Sequence, residues 1–218
     1  MAAYTEPNNL KDFLVWEEER GKSREKVTIL SGENVALAGV VGKIALSCPA
    51  TGTAGDGNTG ESTCDSVTAG PKAKIGTYTL TCIAEATGAG TFAVADPDGF
   101  ALASATVGTA YVNDHINFTL TDAGEDSNLG DIYTIEITAG SGKYVEVDPT
   151  AVDGSQNATG IAIANYNALT ADTAGVAIVR DAIITSSNLV WPSGATEPQK
   201  TAWLAQLADT GIIVREES

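Results

Sequence analysis

Thr77-Tyr78-Thr79-Leu80-Thr81-Cys82 places an apolar or aromatic side chain at every second position, with threonine between. The same beat returns in Ile116-Asn-Phe118-Thr-Leu120-Thr121 and in Tyr133-Thr-Ile135-Glu-Ile137-Thr138. A period of two puts one set of side chains on one face of a strand, so these runs predict half-buried antiparallel strands. Turn signals separate them, at Asp96-Pro-Asp-Gly99, Asp122-Ala-Gly124 and Ala139-Gly-Ser-Gly142. Strands at this spacing predict an antiparallel β-sandwich-like domain over residues 74–146.

Upstream, residues 47–73 are rich in Gly, Thr, Ser and Ala. So little apolar mass reads as a flexible linker. Further out, residues 26–30 and 35–46 are rich in Val, Ile and Leu and read as strands, as do 160–165, 175–185 and 188–192. Thr196 with Gln199 three residues later forms a capping box, Pro198 sits in the first turn, and Gly211 supplies a stop. With the stripe Trp203, Leu204, Leu207 and Ala208, these residues predict one short C-terminal helix, followed by a strand at 212–215. Residues 1–25 are polar apart from Phe13-Leu-Val-Trp16, which runs into Glu17-Glu-Glu-Arg20. This patch predicts an extended arm that docks on another surface.

The chain has 218 residues, 43% of them apolar, enough to build a core. Its 28 acidic and 12 basic residues give a formal net charge of −16. Such a surface repels phosphate backbones, so no nucleic-acid partner is expected. Residues 46–146 carry 13 acids against 3 bases, while half of the basic residues lie in the first 43 positions. The opening residues show no basic region leading into an apolar core, and no stretch approaches the roughly 18 apolar residues of a membrane span. A chain without membrane contact or a classical export signal is expected.

The chemical motifs are weak. Gly55-Asp-Gly57-Asn-Thr-Gly60 has the glycine spacing of a dinucleotide-binding turn but lacks the preceding buried strand and following helix. Asp122, Glu125, Asp126, Asn128 and Asp131 crowd one loop, yet the twelve-residue calcium spacing ends on Tyr133. His115 is the single histidine, with no nucleophile beside it. Cys48, Cys64 and Cys82 match no zinc or redox spacing. Free thiols are expected, with a Cys48–Cys64 bridge as the alternative under oxidation. Neither an enzyme nor a cofactor or metal site is expected.

A family resemblance lies in the outer segments. Gly160-Ile-Ala-Ile-Ala164, Val176-Ala-Ile-Val-Arg-Asp-Ala-Ile-Ile-Thr185, Asn188-Leu-Val-Trp-Pro-Ser-Gly-Ala-Thr-Glu-Pro-Gln-Lys200 and Gly211-Ile-Ile-Val-Arg215 resemble the head decoration proteins of tailed bacteriophages, the lambda type among them. Arg24-Glu-Lys-Val-Thr-Ile-Leu-Ser-Gly32 and Leu37-Ala-Gly-Val-Val-Gly-Lys-Ile44 are similar to the start of longer members. The resemblance implies a mainly β fold: a compact β-rich, β-tulip-like decoration domain from residues 26–46 and 147–218, interrupted by the inserted domain. It further implies a homotrimer at local three-fold positions on the outer surface of the expanded virion head. There it would bind the major capsid protein and stabilise the head against packaged DNA. The arm residues Tyr4, Phe13, Leu14, Val15, Trp16, Arg20 and Arg24 are the expected capsid contacts. Leu189, Trp191, Pro192, Trp203 and Leu207 are expected at the trimer interface or in the core, since aromatic anchors dominate such contacts. The alternative function is a surface-exposed module that binds a glycan or host surface through the insert, for which Tyr78, Phe92, Phe100, Tyr111 and Tyr133 are candidate platform residues, the competing expectation being that most of them are core.

Overall fold

The computed structural model describes residues 9–216. The chain is mainly β and divides into two compact units. The first combines residues up to Ala45 with those from Gly142 onward, and the second is the continuous stretch Leu46–Ser141.

The second unit contains the alternating runs. Gly76–Ala84 pairs antiparallel with Ile132–Ala139 on one side and Thr91–Ala95 on the other. A second sheet joins Ala110–Tyr111, Ile116–Thr121 and Thr63–Ala69. One core receives the inward residues of both sheets, among them Tyr78, Leu80, Phe92, Phe118, Leu120, Tyr133 and Ile135. The expected linker is corrected here, because Thr63–Ala69 is a strand of this unit and buries Cys64, Val67 and Ala69. Ser66 takes φ of 56°, and the register against Ile116–Thr121 shifts at the same place. This bulge carries the buried positions from 64 to 67, which breaks the period of two and hides the strand from a pattern reading.

The first unit holds a closed five-stranded barrel in the order Tyr144–Glu146, Arg24–Ile29, Thr173–Ile178, Ala158–Ala162 and Val40–Lys43. Residues 144–146 therefore belong to the barrel rather than to the sandwich, held by Val41, Gly42 and Lys43. Gly42 is required where it stands, since a Cβ there would lie 2.1 Å from the Ser155 carbonyl oxygen. The barrel interior is small-residue rich, with Val27, Val41, Ala162, Ala168 and Ala177 around Tyr144.

The second core of this unit gathers Val40, Ile161, Ile178, Ile184, Trp203 and Leu207. The helix Glu197–Asp209 forms behind the Thr196/Gln199 capping box and turns Trp203 and Leu207 inward. The expected strand 175–185 is two strands, Thr173–Ile178 and Ala182–Thr185. Asp181, at φ 46°, lies in the link between them.

The arm is also corrected. Leu10–Phe13 is a helical turn, Leu14–Glu17 a strand and Arg20–Ser23 a second helical turn. Phe13 is 0% exposed. Residues 10–23 thus fold back onto their own unit, because Phe13 has more apolar surface to bury there than an extended chain in water could hide.

Candidate docking surface

The strand Leu14–Glu17 pairs antiparallel with Ala182–Thr185, which pairs parallel with Ile212–Arg215. Register partners share a face. Leu14, Ile184 and Val214 form one row, turned into the core. Trp16, Ile183 and Ile213 form the other row, turned away from it. Trp16 is 50% exposed and Ile213 49%, and Val15, carried out by the bulge between Leu14 and Trp16, is 63% exposed. Three strands therefore hold a continuous apolar strip in water, which marks an interaction surface.

The strip is rigidly held. The Thr185 hydroxyl donates to the Phe13 carbonyl at 3.3 Å, and the Asn188 side-chain amide donates to the Asp12 carbonyl at 2.8 Å. At the other end, the Arg24 guanidinium donates twice to the Glu17 carboxylate, both at 2.7 Å and largely shielded from water. A bidentate pair of this kind fixes orientation as well as charge. The Ser23 hydroxyl donates to the Asp181 carbonyl at 2.8 Å, joining the second helical turn to the link before Ala182. Glu18 pairs with Lys22 at 2.6 Å and holds that ammonium above its ordinary value by hydrogen bond and charge.

Of the expected arm residues, Leu14, Val15, Trp16 and Arg24 come together here, while Phe13 lies beneath them in the core. Arg20 opens the second helical turn, and Tyr4 lies outside the described residues. Sequence reading missed Ile183 and Ile213, because only the pairing of three distant segments aligns them with Trp16. Leu189, Trp203 and Leu207 are buried in the core of their own unit. The Trp203 indole donates to the Gln156 carbonyl at 2.9 Å. Trp191 stacks on Trp203 with ring centres 5.9 Å apart, and Pro192 beside it is half-buried.

The platform expected for glycan binding is absent as a platform. Tyr78, Phe92, Tyr111 and Tyr133 are core residues of the second unit, and Phe100 alone is exposed, at 68%. The acidic loop is committed elsewhere as well. Burial pushes the Asp131 carboxyl up, but backbone N–H groups of Asn128, Thr59 and Gly60 outweigh it and hold the carboxyl below its ordinary range. Its oxygens hold the turn together, and the described residues gather no set of three metal-ligating side chains. Gly55 to Gly60 bridge two strands with no helix after them. The three cysteines are free thiols, and burial pushes Cys64 up to about 11, so it stays protonated at neutral pH.

Residues 3–212 match the sequence profile of the family described as bacteriophage lambda head decoration protein D. No curated protein matches the chain. Among solved structures, two crystal forms of FlgL from Xanthomonas campestris are similar over 55% of this chain, at 14% and 16% identity and TM-scores of 0.31 and 0.29. The matched stretch spans about a third of those chains, 34% and 33%, and a likeness this loose carries no argument.

Proposed function

The chain belongs to the family of the bacteriophage lambda head decoration protein D, structural proteins that decorate the capsid, and on that premise we propose that it binds as a homotrimer at local three-fold positions of the expanded head. The major capsid protein is the partner, and the trimer clamps neighbouring shell subunits against the pressure of packaged DNA on the outer face of the virion. No bond is made or broken; binding energy is applied to a lattice. The acidic second unit faces away from the shell, where like charge keeps particles dispersed.

The observation that carries this reading is the exposed strip Val15, Trp16 and Ile213, joined through the half-buried Ile183, on a rigid sheet. A half-exposed tryptophan in a fixed frame is the kind of anchor that dominates protein interfaces. The strip is small, so one copy binds weakly, and three strips on one trimer bind tightly through effective concentration. Co-sedimentation with expanded heads lacking decoration tests it. The native chain pellets with the heads, whereas Trp16→Glu, unchanged in melting temperature, loses affinity by at least about tenfold per contact. Equal pelleting of both proteins overturns the reading.

A further inference from the structure

We propose that the three-stranded sheet is completed by a second copy of this chain, with the Leu14–Glu17 edge of one copy pairing parallel to the Ile212–Arg215 edge of the next. Both outer strands pair only with Ala182–Thr185 among the described residues, which leaves the outer edge of Ile212–Arg215 open and that of Leu14–Glu17 open beyond Leu14, whose N–H is taken by the Leu10 carbonyl. Natural sheets guard such edges with prolines, inward charges or cover. Here Ile212, Ile213 and Val214 run along one edge with no charge before Arg215. The unguarded edge invites a strand.

Charge selects the partner and the direction. The first edge runs into Glu17, paired with Arg24, Glu18, paired with Lys22, and Glu19, while the second ends on Arg215; neither Glu19 nor Arg215 has an ion pair among the described residues. Parallel pairing brings the acidic end of one copy to Arg215 of its neighbour; antiparallel pairing would bring Leu14 there instead. The pairing also continues the apolar row, Trp16, Ile183 and Ile213 of one copy leading into Trp16 of the next. Because the two edges differ, the contact is head-to-tail, and a head-to-tail contact closes a ring when the rotation allows. This inference rests on the multi-copy assembly proposed above and names the surface that builds it.

Variants with one accessible cysteine test it in the full chain, Cys48→Ser removing the one native cysteine that is not buried while the buried Cys64 and Cys82 stay in place. Val15→Cys and Ile213→Cys are expected to cross-link under mild oxidation when mixed in equal amounts, and neither is expected to cross-link alone. Arg215→Glu is expected to lower the assembled fraction in sedimentation velocity, and adding Glu19→Lys to restore it. A native trimer that gives no mixed cross-link overturns the edge pairing and leaves the decoration reading standing. So does cross-linking of Val15→Cys with itself. A chain that stays monomeric at every concentration sinks the assembly and this pairing together.

Discussion

The side chains that decide the behaviour of the second unit are buried polar groups, and they differ in how well they are satisfied. Tyr133 donates its hydroxyl to the Ser62 carbonyl, and the Tyr78 hydroxyl accepts from the Lys74 backbone N–H at 2.9 Å. Tyr111 stacks on Phe118 with ring centres 4.6 Å apart, but its enclosed hydroxyl has no partner among the described residues. An unpaired buried hydroxyl loses its hydration without compensation, so Tyr111→Phe is expected to stabilise the chain by about 1 kcal/mol and Tyr133→Phe to destabilise it by a similar amount. Urea unfolding of the two variants checks the pair. Carboxylates give the unit its pH response. The Lys74 ammonium, with backbone N–H groups of Phe100 and Asp98, holds Asp96 below its ordinary range, and Asp131 is lowered by its three backbone donors. A depressed carboxyl contributes stability above its unfolded value, near about 4, and that stability is lost as pH falls through the folded value. Glu146 in the first unit goes the other way: burial, then Glu33, raises it, so its burden at neutral pH is relieved on acidification. Asp131→Asn is expected to lower the urea midpoint at neutral pH and to flatten its decline between about pH 5 and pH 3.

The N-terminal segment is the element on which the docking surface depends. Its sequence, four large apolar residues followed by acids, reads as something that must be covered, and that much is legible without a structure. What covers it is not. Phe13 enters the core of its own unit while Val15 and Trp16 remain outside, because a one-residue bulge flips the alternation at that point. Removing residues 2–22 therefore takes away a core residue along with the exposed ones, and a folded product is not expected. Phe13→Ala is expected to cost about 3–5 kcal/mol, while Val15→Ala, at an exposed position of the same segment, leaves the melting temperature nearly unchanged. Thermal denaturation separates the two. The C-terminal helix behaves differently: its cap, its proline and its stop are local signals, and it forms where they place it.

At the scale of the whole molecule, the chain leaves the first unit and returns to it at adjacent points. The Ile44 N–H donates to the Lys143 carbonyl at 2.9 Å, and the Gly142 N–H donates to the Ile44 carbonyl at 2.9 Å. Residues 46–141 can thus be replaced by a short Gly/Ser turn without straining the barrel. The shortened protein is expected to fold cooperatively and to pellet with undecorated heads as the native chain does; loss of pelleting would show that the second unit takes part in attachment. The formal charge should also drop steeply, since 12 acids and 2 bases leave with that stretch. By itself the sequence determined the mainly β character, the strands whose side chains alternate, the capped helix, and the family to which the outer segments belong, because each of these is written in neighbouring residues. Only the tertiary structure decided that Thr63–Ala69 is a core strand, that Trp203 and Leu207 face inward, and that Trp16, Ile183 and Ile213 form one strip. The reason is physical: which face of a strand is wet depends on bulges and on partners more than a hundred residues away, and no local period records either.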